Sequence, residues 1–420
     1  MDEKGSNQPQ ELLKILVTKL NFKEVSSVDP NWKTTSKFIL LPELKILTHW
    51  QSDKFRTRYK CAKESPFEVC PRCAAKCTSV HDRRWVKIED QPIRGSGVTL
   101  YVRKRRFRCK GCKAVFTEPI AGVRKGFKTT QRFRRGLQWA CDNFLDLKRV
   151  QRAYGCSAGL VYKVYYEQLE RKLRERQNNP WPQTIGIDEH SFKRGFRSRE
   201  FATILVDYPN KKIFEVGFGK TADGLAYDFA HVPGRDLVRN VVLDMSDPFK
   251  KFARNMFPQA RLIADHFHVI RLLNPVINKA RTEITGDRRS NPARQLLLMN
   301  GKRLEYFERR ALRTWLEFHP KLKELYDYKE ALHALYRCRG YERARRALIR
   351  LLDHMATSTL PEIKTLRKTL MKWKNEILNY FVTGITNGRT EGFNNLAKLL
   401  QKRAFGFRSF KNYRLRLLSL

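Results

Sequence analysis

The chain has 420 residues, enough for two or more domains that each bury a core. Its 85 lysine and arginine residues outnumber 42 aspartate and glutamate residues and give a formal net charge of +43, which favours a nucleic acid as the neutralising partner. No apolar run approaches the roughly 18 residues that a membrane-spanning helix needs and the polar start is not a signal peptide, so the sequence predicts a cytoplasmic, DNA-associated protein and excludes a membrane protein.

Residues 1–60 begin with a polar stretch and continue with an amphipathic pattern at 11–17. Near the end of this region aromatic and basic residues alternate, from Trp50 to Lys60. That alternation is typical of nucleic-acid contact and equally of an ordinary strand with a solvated basic face. We therefore assign residues 1–60 no function.

Residues 61–120 contain two Cys-x-x-Cys pairs, a spacing that suits tetrahedral coordination of Zn²⁺ by thiolates. A strand-like run at 98–102 would form a hairpin that brings the pairs together, and we expect a zinc ribbon with one structural Zn²⁺. The alternatives are free thiols in a small core, or a ligand set that includes Cys61, Cys77 or His81, because the spacer between the pairs is long. Clustered cysteines also favour a reducing compartment over a disulfide framework. The predicted ligands are Cys70, Cys73, Cys109 and Cys112.

A basic run follows the same hairpin and would present a stripe of positive charge to phosphates. The alternative for some of its members is a solvated charged face. The predicted phosphate contacts are Arg103, Lys104, Arg105 and Arg106.

Residues 121–179 have the pattern of a helix-turn-helix DNA-binding domain. Apolar residues recur at spacings of three and four from 129 onward, a short helix is predicted at 147–153, and Gly155 marks a tight turn. Ser157 is a good N-cap for a helix over 158–169, which would enter the major groove. Its predicted DNA contacts are Ser157, Tyr162 and Lys163. The charged stretch 170–179 is typical of a linker.

From residue 180 the pattern alternates between strands and helices, which predicts an α/β sheet. The first strand, at 185–187, ends on Asp188, and a later strand, at 238–243, ends on Asp244. We divide this part into 180–274, a helical insertion at 275–380 without strands, and 381–420 with Glu391 in a helix. Three carboxylates from separate elements would then meet at one edge of the sheet.

The order of these parts resembles the DDE transposases of bacterial insertion sequences, most closely the ISL-three type. The resemblance rests on short motifs around Asp188, Asp244 and Asp265, and above all on the segments 390–395 and 402–408. It implies a multidomain α/β protein with a zinc ribbon, a helix-turn-helix and a ribonuclease-H-like catalytic domain interrupted by the insertion. It also implies DNA strand cleavage and transfer at element ends by a homodimer or larger assembly, which binds terminal inverted repeats and target DNA.

The resemblance gives Asp188, Asp244 and Glu391 the role of ligands for two Mg²⁺ or Mn²⁺ ions, and phosphodiester chemistry with such ions requires hard oxygen ligands. Glu189 and Asp247 are neighbouring acids that compete for the same assignment. Other residues near the site either take part in it or only cap and pack: Asp265, His268, Asn394 and Asn395. Further phosphate contacts are predicted for Lys402, Arg403 and Arg408.

Two other functions compete with transposition. A zinc-dependent DNA-binding regulator derived from such an enzyme would not need the three acids, so their presence argues against it. A nuclease of the same fold that cuts without joining would keep all of them.

Overall fold

The computed structural model describes residues 41–53, 55–176, 178–194, 199–286 and 292–420. The amphipathic pattern at 11–17 lies outside the described residues. The chain divides between Gln168 and Leu169 into two compact units, which we call the N-terminal unit and the C-terminal unit. Within the described ranges, no helix is both long and apolar enough to cross a lipid bilayer.

The N-terminal unit is built on a five-stranded sheet with the order β1-β2-β6-β5, and β7 pairs with β6. The predicted hairpin is present as the long antiparallel pair β5 and β6. The strands are β1 (Leu44–Asp53), β2 (Arg56–Lys63), β5 (Val80–Ile93), β6 (Ser96–Arg108) and β7 (Val115–Thr117), with a separate short pair formed by β3 (Glu68–Val69) and β4 (Lys76–Cys77). The boundary expected between residues 60 and 61 falls inside β2, because β2 pairs with both β1 and β6.

Three helices follow the sheet: α1 (Gln131–Asn143), α2 (Leu147–Tyr154) and α3 (Ala158–Arg176), of which the last begins in this unit and continues into the C-terminal unit. The turn predicted between α2 and α3 is present, since Gly155 has a φ of 57° and the Ser157 hydroxyl accepts a hydrogen bond from the backbone N–H of Leu160. Val150 and Val161 are fully buried, as expected for two packed helices.

The prediction of a linker over 170–179 was wrong for most of its length, because α3 continues to Arg176. This charged segment has an apolar side, with Leu169 buried and Leu173 packed against a core cluster. The Arg176 guanidinium also donates hydrogen bonds to the backbone oxygens of Leu418 and Ile213. These contacts hold the segment in a helix.

The C-terminal unit contains a second five-stranded sheet with the order β10-β9-β8-β11-β12. Its first three strands form the predicted antiparallel meander, and β11 and β12 run parallel to β8. The strands are β8 (Thr184–Arg194), β9 (Arg199–Asp207), β10 (Lys212–Phe218), β11 (Asn240–Leu243) and β12 (Arg261–Ala264). An α/β sheet was therefore predicted correctly.

Both faces of this sheet are covered. One face packs on α14 (Gly388–Arg403) and α15 (Phe410–Leu417) through residues such as Ile204 and Val206. The other face joins a larger core that includes Ile187 and Leu205. The helices that connect the strands are α4 (Ala222–Asp228) and α5 (Asp247–Met256), and α6 (His266–Ile270) follows the last strand.

Between β12 and α14 the described chain is helical, as predicted for the insertion. After α6 its helices are α7 (Asn274–Thr285), α8 (Pro292–Leu298), α9 (Tyr306–Glu317), α10 (Pro320–Leu335), α11 (Tyr341–Ala356), α12 (Pro361–Lys372) and α13 (Lys374–Thr383). The boundary expected between residues 380 and 381 falls inside α13, where the Asn379 amide donates a hydrogen bond to the backbone oxygen of Leu262 in β12.

Candidate active site and zinc site

The four cysteines of the two Cys-x-x-Cys pairs lie together, with all four sulfurs within 4.8 Å of one another. The Cys70 and Cys112 sulfurs are 3.5 Å apart, and so are those of Cys73 and Cys109. Tetrahedral zinc with Zn–S bonds of about 2.3 Å requires sulfurs about 3.8 Å apart, so this donor set fits the ion. Cys77, which competed for the assignment, lies outside the cluster, and burial raises the pKa of its thiol to about 11.

The two pairs also share one backbone conformation. The N–H of Cys70 donates to the oxygen of Ala75 and the N–H of Cys109 donates to that of Ala114, both at 2.9 Å. Backbone N–H groups that point at the sulfurs, chiefly that of Cys112, lower the pKa of Cys109 to about 6. Thiolates are the form that binds zinc, so the backbone prepares the cluster for a cation.

Three aspartates form a row at one edge of the C-terminal sheet. Leu243 of β11 is aligned with Ile187 of β8 on one side and with Ala264 of β12 on the other. The next residues in the three parallel strands are Asp188, Asp244 and Asp265. β11 and β12 end directly before their aspartates, whereas β8 continues beyond Asp188 to Arg194 through its pairing with β9. The expectation that the first strand ends at Asp188 was therefore wrong, but the parallel pairing still places the three aspartates side by side.

The structure brings the predicted Asp188 and Asp244 together and adds Glu189 to them. Their carboxylate oxygens lie within 4.8 Å of one another. Burial and then the charge of Asp188 raise the pKa of Asp244 to about 7, and burial raises the pKa of Asp188. A cluster of half-buried carboxylates at this distance is destabilised by repulsion, and a divalent cation would relieve it.

Glu189 is a residue that the sequence analysis set aside as a competitor. One of its carboxylate oxygens lies 3.6 Å from the Lys220 ammonium. The other is buried and has no hydrogen-bond partner among the described residues. An orphaned anionic oxygen beside two aspartates is a suitable ligand for a cation.

Helix α14 approaches this edge closely because Gly186 has no side chain. A Cβ at position 186 would lie 2.1 Å from the Thr390 hydroxyl oxygen and 2.5 Å from a ring carbon of Tyr208. Asn387, the residue before α14, is buried beside the row of aspartates. Its backbone N–H donates to Asp265 at 3.0 Å, and its side-chain amide lies 3.5 Å from an Asp244 oxygen. Asn387 was not predicted as a site residue, although it lies four residues before the predicted Glu391.

One turn after Glu391, a chain of buried hydrogen bonds leads away from Asp188. The Asn394 amide donates to Asp188 at 2.5 Å, and its carbonyl oxygen accepts from His190 Nδ1 at 3.1 Å. His190 Nε2 is then the acceptor for the Tyr413 hydroxyl, at 2.5 Å. Burial lowers the pKa of His190 to about 4, which keeps the ring neutral. The chain therefore fixes the orientation of Asp188.

The Glu391 carboxylate is not part of the cluster within 4.8 Å, and its side chain is exposed. The helix face on which Glu391 lies can nevertheless be inferred, because residues three and four apart share a helix face. Asn387 lies four residues before it and contacts Asp244, and Asn394 lies three residues after it and contacts Asp188. Glu391 is thus on the helix face that covers both aspartates. Asn395, by contrast, is exposed.

Asp265 and His268, predicted as secondary residues, contact the row directly. His268 Nδ1 lies 3.0 Å from an Asp265 oxygen and 3.4 Å from an Asp244 oxygen. The hydrogen bond with Asp265 raises the pKa of His268 to about 9. Although burial opposes it, contact with His266 and His268 holds the pKa of Asp265 below its usual range. Asp265 therefore remains a charged carboxylate that holds an imidazolium beside Asp244.

Two models of known protein families match this chain, each over a different range of residues. A model described as transposase, of the ISL3 type, matches residues 185–417, and a model described as the zinc finger of transposases IS204, IS1001, IS1096 and IS1165 matches residues 66–112. The chain belongs to the ISL3 family of DDE transposases. This confirms the predicted family and the function of DNA transposition, and neither a regulator nor a simple nuclease is favoured.

The transposase has curated relatives in bacteria. It is 25% identical over 376 residues to the transposase for insertion sequence element IS1001 of Bordetella parapertussis, an alignment that covers 86% of this chain and 90% of the relative. It is also 25% identical over 301 residues to the transposase for insertion sequence element IS1557 of Mycobacterium tuberculosis, which covers 64% of this chain and 66% of the relative.

Most basic residues predicted to bind DNA lie at least partly on the surface of the transposase. Arg103, Lys402 and Arg408 are exposed, and so are the predicted α3 contacts Ser157, Tyr162 and Lys163. Lys104, Arg106 and Arg403 are partly buried.

Arg105 is an exception, because the protein uses its side chain internally. Its guanidinium binds the fully buried carboxylate of Glu118 at 2.7 Å and donates to the backbone oxygen of Ser65. Only 15% of the Arg105 side chain is exposed. We therefore remove Arg105 from the set of phosphate contacts.

Proposed function

We propose that the transposase cleaves and rejoins DNA strands at a divalent-metal centre formed by Asp188, Asp244 and Glu391, with Glu189 as an additional ligand. The observation that carries this proposal is the meeting of carboxylates from the adjacent parallel strands β8 and β11, beneath the helix that carries Glu391. Two Mg²⁺ ions held there would activate the attacking oxygen and stabilise the leaving oxygen in an in-line displacement.

The sheet supports a ribonuclease-H-like architecture for the C-terminal unit. Its order is an antiparallel meander of three strands followed by two parallel strands beside the first. The strands that carry Asp188 and Asp244 are adjacent in this order, and α14 covers the same sheet. This arrangement gathers acids from distant parts of the sequence.

The surrounding residues have separate tasks in this proposal. Asn394 orients Asp188, and His190 fixes the amide of Asn394 in turn. Asn387 ties the start of α14 to the strand ends, and His268 balances the negative charge of Asp244. These residues keep the carboxylates in place before DNA arrives, which reduces the cost of reorganisation during the reaction.

We also propose that the N-terminal unit binds the terminal inverted repeats. The helix-turn-helix geometry of α2 and α3 and the exposed side chains on α3 support this assignment. Zinc bound by Cys70, Cys73, Cys109 and Cys112 would hold the end of the β5–β6 hairpin, whose basic side chains contact phosphates. An assembly of at least two protomers would hold two ends together.

The test is strand cleavage of a DNA fragment that contains the sequences flanking the gene, with Mg²⁺ present. Asp188→Asn, Asp244→Asn and Glu391→Gln should each reduce cleavage and joining by orders of magnitude, because each removes charge from the metal centre while the duplex still binds. The matched control is Asp247→Asn: Asp247 lies three residues after Asp244 but pairs with Lys372.

Glu189→Gln distinguishes two versions of the centre. We expect it to weaken Mn²⁺ binding in calorimetry as well as cleavage, because the orphaned oxygen would lose its charge. Full activity of Glu391→Gln would contradict the proposed third acid and leave Glu189 in its place.

A further inference from the structure

The loop after α14 presents one aromatic ring to solvent. Phe405 is 92% exposed, more than any other large hydrophobic residue in the described part of the chain. Two residues later, Phe407 instead packs against Tyr413, with ring centroids 5.0 Å apart. The loop therefore buries one of its phenylalanines and exposes the other.

The backbone at Phe405 is in the left-handed region, with a φ of 54°. The N–H of Gly406 donates to the oxygen of Gln401 and the N–H of Phe405 to that of Lys402, the two bonds of a Schellman motif. The left-handed position of this motif is usually glycine, but here the glycine comes one residue later. Among the described non-glycine residues with positive φ, Phe405 is the only aromatic one. Packing does not compensate this unfavourable conformation, since the ring is almost fully exposed.

The surroundings of the ring are positively charged. Residues 392–420 contain no aspartate or glutamate, and the exposed Lys402 and Arg408 lie on either side of Phe405 in sequence. An exposed aromatic ring between basic side chains suits a nucleic acid, whose bases stack on the ring while its phosphates bind the cations. An acidic protein or a membrane surface could bind the basic side chains. Neither partner would explain why a single aromatic ring is exposed in a strained backbone conformation.

We propose that Phe405 stacks on a nucleobase whose face is open, as at an unpaired DNA end, while Lys402 and Arg408 contact the adjacent phosphates. This rests on the proposed function, in which the C-terminal unit acts on DNA. Glu391 lies in the first turn of α14 and Phe405 lies two residues beyond its last residue, so a rise of about 1.5 Å per residue separates them by about 20 Å. The ring would therefore hold DNA a few base pairs from the cleavage site.

The experiment uses the full chain and a labelled duplex that ends in a single-stranded overhang containing 2-aminopurine. Wild-type protein should quench the 2-aminopurine fluorescence by stacking. Phe405→Gly should abolish the quench and weaken binding of this duplex about tenfold, the loss typical of one base–aromatic stack. Its affinity for a blunt duplex should change little, and its melting temperature should not fall, because glycine accepts the left-handed backbone.

Two further variants act as controls. Phe405→Trp should retain the quench, since tryptophan also stacks. Tyr227→Ala should change nothing, because Tyr227 is 84% exposed but lies in α4, outside the basic loop.

Unchanged quenching and unchanged affinity in Phe405→Gly would overturn the inference. A changed oligomeric state of this variant with unchanged DNA binding would also overturn it, because the ring would then contact another protein chain. Loss of the quench without loss of blunt-duplex binding supports it. If wild-type protein bound neither duplex, the proposed function itself would fail.

Discussion

His190 offers a quantitative test of the buried hydrogen-bond chain behind Asp188. Its pKa is lowered to about 4 by burial, against about 6.5 in an unfolded chain. Between these two pH values the unfolded state binds more protons than the folded state. The contribution of His190 to the free energy of unfolding is therefore present above about pH 6.5 and is lost as the pH falls from about 6.5 to about 4. The linkage relation gives a decrease of about 2 kcal/mol in the free energy of unfolding between pH 7 and pH 5. For a unit of this size, that corresponds to a melting temperature lower by about 4–8 °C.

The assay is calorimetric unfolding of wild-type protein and His190→Gln at both pH values. Other groups titrate in the same range, so the difference between the two proteins isolates His190. The variant should lose about 2 kcal/mol less than wild type. If the variant does not fold, nitrogen chemical shifts of the wild-type ring give a second measurement, and they should show a proton on Nδ1 and none on Nε2 at pH 7. A ring that is protonated above pH 6, or equal pH dependence in both proteins, would refute the reasoning.

Three other predictions concern the packing around Gly186, the sulfur cluster and helix α3. Gly186→Ala should destabilise the protein by about 1–3 kcal/mol and reduce cleavage, because its Cβ would overlap Thr390 and displace α14; an unchanged melting temperature would contradict this. Cys109→Ser should release about one zinc per chain in metal analysis, whereas Cys77→Ser should retain it, since Cys77 lies outside the cluster. Tyr162→Ala should reduce the preference for the element's ends over random duplexes by about 1–3 kcal/mol in competition binding; an equal loss on both duplexes would mean that α3 does not read bases.

The elements of the active site were predictable where local sequence determines them. Two β-branched residues before Asp188 and an apolar run before Asp244 indicated two strands, and the parallel pairing of these strands aligns the two aspartates. The end of the first strand was not predictable, because pairing with β9 extends β8 to Arg194. The close approach of α14 to Gly186 became evident only in the structure, because nothing in the local sequence identifies Thr390 as its neighbour.

Contacts between distant residues were not predictable from one sequence. His190 and Asn394 are 204 positions apart, and nothing local indicates that the amide of one faces the ring of the other. Arg105 looked like a phosphate contact because it lies in a basic run, but a carboxylate on a neighbouring segment neutralises it. The extension of α3 was missed because its many charges obscure the two leucines on its buried side.

The separation of the site residues along the chain also affects the order in which the growing chain acquires its DNA-binding and cleavage elements. The strands before Asp188 and Asp244 are synthesised before the helical insertion, whereas α14 follows it. Domains begin to fold during synthesis, from the N-terminal side first. The two aspartates can therefore adopt their places while the helix that covers them is still missing. A nascent chain at that stage carries the elements proposed to bind DNA but lacks Glu391, Asn387 and Asn394, so under the proposed function we expect it to bind DNA before it can cut DNA.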